Sequence, residues 1–202
     1  MTSLIAENLA CDRGGRRVFS GVSFTLESGQ GLLVTGRNGA GKTTLLRVIC
    51  GLSELSEGSL KLLGPEDDLT IGQRSHFVGH TEAIKSAFSV AENLAFWATF
   101  GGGGEVDEAL AAFDLAPLAS YSAGLLSSGQ RRRLALSRLA LTRRPIWLLD
   151  EPSVGLDTAS QALLADRLKA HLREGGMAIV SSHTPLEVEF HQHLDMSSLA
   201  GE

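Results

Sequence analysis

Three short runs, Gly31–Thr35, Ile146–Leu149 and Met177–Ser181, are apolar up to a closing Thr35 or Ser181 rather than alternating with polar positions. Unbroken runs of this length predict strands buried on both faces, as in a parallel sheet. Helical patterns lie between them, which predicts an α/β domain with a largely parallel sheet. Shorter strand-like pieces, such as Val22–Leu26, occur between Ser3 and Leu26 and fit an antiparallel edge at the N-terminus. Residues 89–141 are rich in Ala and Leu and read as helical, broken by the four glycines 101–104. We expect this stretch to form an α-helical lobe, about residues 81–144, inserted into an α/β core of about 1–80 and 145–202. No internal repeat, heptad run or long linker divides the chain, so a single domain is expected.

Composition narrows the class. A chain of 202 residues is long enough for one sizeable core. The net charge of −5 gives no sign of a general nucleic-acid binder. The arginines at 131–133, 138, 143 and 144 read as a solvated helix face. Cys11 and Cys50 make neither a disulfide framework nor a zinc spacing, which fits a reduced compartment. No apolar run approaches the roughly 20 residues of a membrane-spanning helix. The first residues, Met1–Asp12, lack the basic start and apolar stretch of a signal peptide. Any membrane role is therefore expected to run through a partner.

The chemistry begins where the first apolar run ends. Gly36, Arg37, Asn38, Gly39, Ala40, Gly41, Lys42 and Thr43 spell GxxxxGK[ST], and Thr44 continues into a helical pattern. Glycines let such a loop curl until its N–H groups point inward, and the helix start adds a positive dipole end, so the loop cradles phosphates. Lys42 is placed to reach the β- and γ-phosphates, and the Thr43 hydroxyl to bind Mg²⁺. The second run ends in Asp150 and Glu151. In that position Asp150 can hold Mg²⁺ and Glu151 can polarise an attacking water. A third signal is Leu126–Ser127–Ser128–Gly129–Gln130 before a helical stretch. Ser127 is expected to cap that helix, which makes its start a second anion site. One chain has one phosphate loop, so that second site requires a phosphate held by another chain.

In their order along the chain, phosphate loop, residues 126–130, then Asp150–Glu151, the segments resemble the ATP-binding cassette family over nearly the whole chain. The resemblance implies ATP and Mg²⁺ as cofactors and an ATP hydrolase acting as a homodimer, with Ser127, Ser128, Gly129 and Gln130 facing the other chain's ATP. It implies Glu151 and His183, the family's switch histidine, as catalytic residues, and Ser153–Asp157 as a loop crossing the dimer interface. Three positions depart from the family pattern. Ser128 stands where LSGGQ has glycine. His80 stands where a glutamine contacts Mg²⁺ and couples to the membrane subunit, so Thr43, Asp150 and His80 form the expected metal set. Arg13 takes the place of the aromatic that stacks on adenine, and a guanidinium also stacks; Phe19 is the alternative platform.

Cys11–Gly14, Gly79–His80 with Lys85, and Glu92–Phe96 are similar to the ATPase subunits of haem exporters for cytochrome c maturation. That implies transmembrane partner subunits and a peripheral place on the cytoplasmic face of the inner membrane. The alternatives are a transporter of another substrate and, further off, a soluble cassette protein acting on ribosomes or DNA. Against the latter, the chain has one cassette, and about 110 residues without sustained heptads separate the phosphate loop from Asp150. A small-molecule kinase does not explain residues 126–130. His191 and His193 are read as solvated.

Overall fold

The computed structural model describes residues 2–64 and 67–201. Along the chain the elements are β1 (Ser3–Arg13), β2 (Arg16–Glu27), β3 (Gly31–Thr35), α1 (Lys42–Ile49), β4 (Glu57–Leu63) and β5 (Ser75–Val78). There follow α2 (Val90–Gly101), α3 (Val106–Ala111), α4 (Ser128–Leu141), β6 (Ile146–Asp150), α5 (Thr158–Arg173), β7 (Met177–Ser181) and β8 (Gln192–Asp195). Among the described residues no helix is long and apolar enough to cross a membrane.

The strands form two sheets. β5-β6-β7-β3-β8 is parallel throughout, and β2-β1-β4 is a separate antiparallel sheet. Side chains alternate across a strand, which divides each apolar run between two cores. Leu32, Val34, Ile146, Leu148, Met177 and Ile179 pack with Leu45, Leu46 and Ile49 of α1 and with the antiparallel sheet. Trp147, Leu149, Ala178 and Val180 pack with Leu164, Leu168 and Leu172 of α5 and with α2–α4. The central strands have no polar face because both of their faces are covered.

Helix starts follow local capping chemistry. Ser89 and Glu92 form a reciprocal capping box on α2, as Ser127 and Gln130 do on α4. The Asp157 side chain accepts from Ser160 N at the start of α5. α2 ends against Gly102 in the left-handed conformation, so the glycine run is a turn between α2 and α3.

Two of the expected solvated arginines are buried. Arg132 and Arg138 are only 4% and 8% exposed. Both fall on the apolar stripe of α4, beside Ala135 and Leu139, so helical periodicity overrides their polarity. Arg138 lies 4.3 Å from the Trp97 ring and donates to Ala135 O. Burial, with Arg132 nearby, lowers its pKa to about 10. Arg144 is half-buried and donates to the carbonyls of Gln73 and Ser75.

Candidate active site

In an open parallel sheet, ligands bind outside the carboxyl ends of the strands. Here β5, β6, β7 and β3 are neighbours, so whatever follows each strand is brought to one edge. β3 delivers the phosphate loop, β6 delivers Asp150 and Glu151, β7 delivers His183, and β5 delivers His80. Lys42, Thr43, Thr44, Asn38, Gly39, Gly41, His80, Asp150, Glu151 and His183 line a cleft of about 540 Å³.

The phosphate loop turns on Gly36, Gly39 and Gly41, all with positive φ. Gly41 has a second constraint: a Cβ there would lie 3.1 Å from Val18 and 3.2 Å from Phe19. Gly41 also stands at the N-cap of α1 and offers no capping side chain, which leaves that helix start to an anion. Lys42 is buried, and its ammonium donates to Gly36 O at 2.7 Å and Arg37 O at 3.3 Å. It also lies 3.0 Å from His183 Nε2. An ammonium only donates, so in that contact Nε2 accepts and the imidazole carries its proton on Nδ1. Glu151 Oε1 is 3.2 Å from the same nitrogen. One ring nitrogen serves Lys42 as acceptor or Glu151 as donor, never both.

The two carboxylates are held differently. Asp150 is 1% exposed; Ser181 Oγ donates to its Oδ1 at 2.6 Å and Thr43 Oγ1 to its Oδ2 at 2.8 Å. A hydroxyl and a carboxylate in contact make a small, hard oxygen donor set, and the exposed His80 imidazole across the cleft is a borderline donor beside it. Mg²⁺ commonly takes few protein ligands and completes its shell with water and phosphate oxygens, so these residues fit it. Glu151 sits at φ 48°, a left-handed conformation that costs energy in a residue with a side chain. Its N–H donates to Ser181 O at 3.0 Å and Oγ at 3.1 Å, and its Oε2 accepts from His183 N at 3.1 Å.

Several expected residues are not in this cleft. Ser127 and Ser128 are exposed at the start of α4, and residues 127–130 do not line the cleft of their own chain. Arg13 is exposed beside the Gly14–Gly15 turn of the β1–β2 hairpin and does not line the cleft either; Val18 does. Phe19, the alternative adenine platform, is 0% exposed, packed in the core beneath Gly41. Its ring is therefore closed to a ligand, because the β2 alternation that exposes its neighbours turns it inward. His191 and His193 are exposed, as expected. Two residues were missed. Ser181 holds both carboxylate residues, and its signal was a polar residue ending a wholly buried strand. Arg132 donates to four carbonyls around the site, and its signal was an arginine on an apolar stripe.

A phosphate loop, a buried strand leading into two carboxylates and a histidine, all on adjacent strand ends, define an ATP-hydrolysing cassette. The ABC transporter family model matches residues 19–154, and the chain belongs to that family as an ATPase subunit. It is 50% identical over 189 residues to the cytochrome c biogenesis ATP-binding export protein CcmA of Mesorhizobium japonicum, covering 92% of this chain and 94% of that one. It is 47% identical over 187 residues to the protein of the same name from Nitrobacter winogradskyi, again covering 92% and 94%. Its fold matches a putative ABC transporter ATP-binding protein from Pyrococcus furiosus, with TM-score 0.83, 24% identity and coverage of 98% and 99%.

Proposed function

We propose that the chain powers an exporter serving cytochrome c maturation, of the haem-exporting kind its motifs resemble, as a homodimer docked on transmembrane subunits at the cytoplasmic face of the inner membrane. The relatives named for cytochrome c biogenesis support the pathway. The observation that carries the dimer is the split site. Lys42, Thr43, Asp150, Glu151, His80 and His183 share one cleft, while Ser127–Gln130 face outward with an exposed helix start. A second copy turned to face the first brings that helix start onto the terminal phosphate held by the opposite loop.

Within one site, Mg²⁺ when bound would supply neutralisation of charge on the terminal phosphates. Gly36–Thr44 bind the phosphates through backbone N–H groups and the Lys42 ammonium. Thr43, Asp150 and His80 would hold the metal. Glu151 accepts the proton of the attacking water at a carboxylate oxygen, and His183, fixed beside it, orients that carboxylate and contacts the γ-phosphate. Arg13 and Val18 lie on the adenine side. The metal and adenine assignments, the lobe at about 81–144 and the core at about 1–80 and 145–202 belong to the same proposal.

The test is Glu151→Gln, which keeps shape and removes the base. ATP should still bind, turnover should fall at least about a hundredfold, and an ATP-bound dimer should accumulate by size measurement. A wild-type rate would remove the catalytic role. Deleting the gene tests the pathway: holo-cytochrome c should disappear while b-type cytochromes remain. Normal cytochrome c would leave a transport ATPase for another substrate.

A further inference from the structure

Arg132 lies five residues after Ser127, on the helix whose start carries the outward-facing anion site. Its guanidinium is buried, and its donors go to backbone carbonyls in two separate segments. Nε donates to Pro152 O at 3.2 Å, Nη2 to Asp150 O at 2.9 Å and to Glu151 O at 2.8 Å, and Nη1 to Gly79 O at 2.8 Å. The first three carbonyls belong to the turn that presents the hydrolytic carboxylate. The fourth precedes His80.

This arrangement is costly for a residue that only fills space. Burial lowers the pKa of the Arg132 guanidinium, opposed by the charges of Glu82, Asp150 and Glu151. A buried cation is weak evidence of stability, since well-packed apolar residues often serve as well. What a guanidinium adds is a rigid planar fork able to hold several acceptors at fixed mutual positions. One acceptor is the carbonyl of Glu151, whose backbone is strained at φ 48°. Ser181 holds that residue from its N–H side, and Arg132 holds it from its carbonyl side. A strained residue persists only where its surroundings over-determine it.

We propose that Arg132 is a positioning residue for hydrolysis, locking the Glu151 turn and the Gly79–His80 loop to the start of α4. A shift of α4, driven by phosphate at Ser127–Gln130 or by a partner on the lobe, then moves the carboxylate and His80 with it. The proposal rests on the role of Glu151 given above.

The experiment uses Arg132→Lys and Arg132→Gln in the full chain, copurified with its membrane partners, beside Arg133→Gln and Glu151→Gln. Lys offers one flexible point charge and Gln one short amide, so neither spans all four carbonyls. Both should bind ATP within about threefold of wild type, while kcat falls about tenfold or more, Lys less than Gln. Among the described residues Arg133 bonds to Phe113 O and Asp114 O in the lobe, so Arg133→Gln should keep kcat. Full kcat in either Arg132 variant overturns the proposal. So does ATP affinity that falls in step with kcat, an equal loss in Arg133→Gln, or failure of both Arg132 variants to fold, any of which would make Arg132 a packing residue. A wild-type rate in Glu151→Gln would instead sink the reading of Glu151.

Discussion

Replacing Ser181 by alanine removes one oxygen from a place with no exposed surface. That oxygen donates to Asp150 Oδ1 at 2.6 Å and receives the N–H of Glu151 at 3.1 Å. The two losses are unequal. Glu151 N keeps its bond to Ser181 O at 3.0 Å, which the substitution leaves in place. Asp150 is 1% exposed and keeps only Thr43 on its other oxygen, so Oδ1 is left buried beside a methyl group. A hydrogen bond to a charged group contributes about 1.5–3 kcal/mol, and a stranded acceptor loses most of that. We expect a loss of about 2 kcal/mol, which in a domain of this size lowers Tm by about 4–8 °C. The Asp150 carboxylate also loses one of its two restraints, so ATP turnover should fall about tenfold with ATP binding largely kept. Thermal melting and steady-state hydrolysis on the same sample measure both. A Tm within about 1 °C of wild type, or a drop in Tm with full turnover, would refute the idea that this hydroxyl both pays for and aims Asp150.

Ser127→Arg removes the α4 cap, at a cost of about 1 kcal/mol, and puts a long cation where the opposing phosphate is to sit. Turnover should be lost with ATP binding at the phosphate loop intact; joint loss of binding and folding would assign Ser127 to capping alone. His76 supplies a pH test. Burial, the largest cause, lowers its pKa to about 4, although its Nε2 lies 2.7 Å from Thr142 O. Its folded pKa is thus below the unfolded value near 6.5. The unfolded chain then binds more protons between about pH 6.5 and 4, and stability falls with acidification across that window by up to about 1.4 kcal/mol per pH unit. His171, stacked on Trp147 and lowered in the same direction by burial, adds to the slope. Denaturant melts of wild type and His76→Gln from pH 7.5 to 5 should show a shallower slope in the variant, and equal slopes would clear His76 of the effect.

What could be read from the chain follows from how each element is covered. β3, β6 and β7 are central, so both faces are apolar and the runs announce themselves. β5 and β8 lie at the edges; Gln192–Asp195 alternates between half-buried and exposed and carries no apolar signal. β4 was also illegible, since Glu57–Leu63 has no fully buried position. Segments with a fixed spacing stood out in the sequence: 36–43 and Asp150–Glu151, which the fold brings to one cleft, and 127–130, which start α4 outside it. Arg132 and Ser181 act through backbone carbonyls and neighbouring carboxylates, which leave no spacing to find. The adenine side was misread at Phe19 because one step along a strand exchanges buried for exposed.

The departure at Ser128 shows the difference between a glycine that is needed and one that is not. Anion binding at a helix start uses backbone N–H groups and the dipole, neither of which depends on the side chain. Ser128 is the first residue of α4 and is exposed, so its Cβ meets solvent. Gly129 is different: a Cβ there would come 3.0 Å from Gly155 O. Gly155 lies between Glu151 and Asp157, the residue that caps α5. A side chain at 129 therefore pushes the loop that continues from Glu151, while one at 128 meets solvent. The helix start comes close to the loop after Glu151 at Gly129, and one turn further on the Arg132 guanidinium bonds the same helix to the Glu151 turn. The close approach of Gly155 O favours glycine at 129, and the open surface accommodates serine at 128.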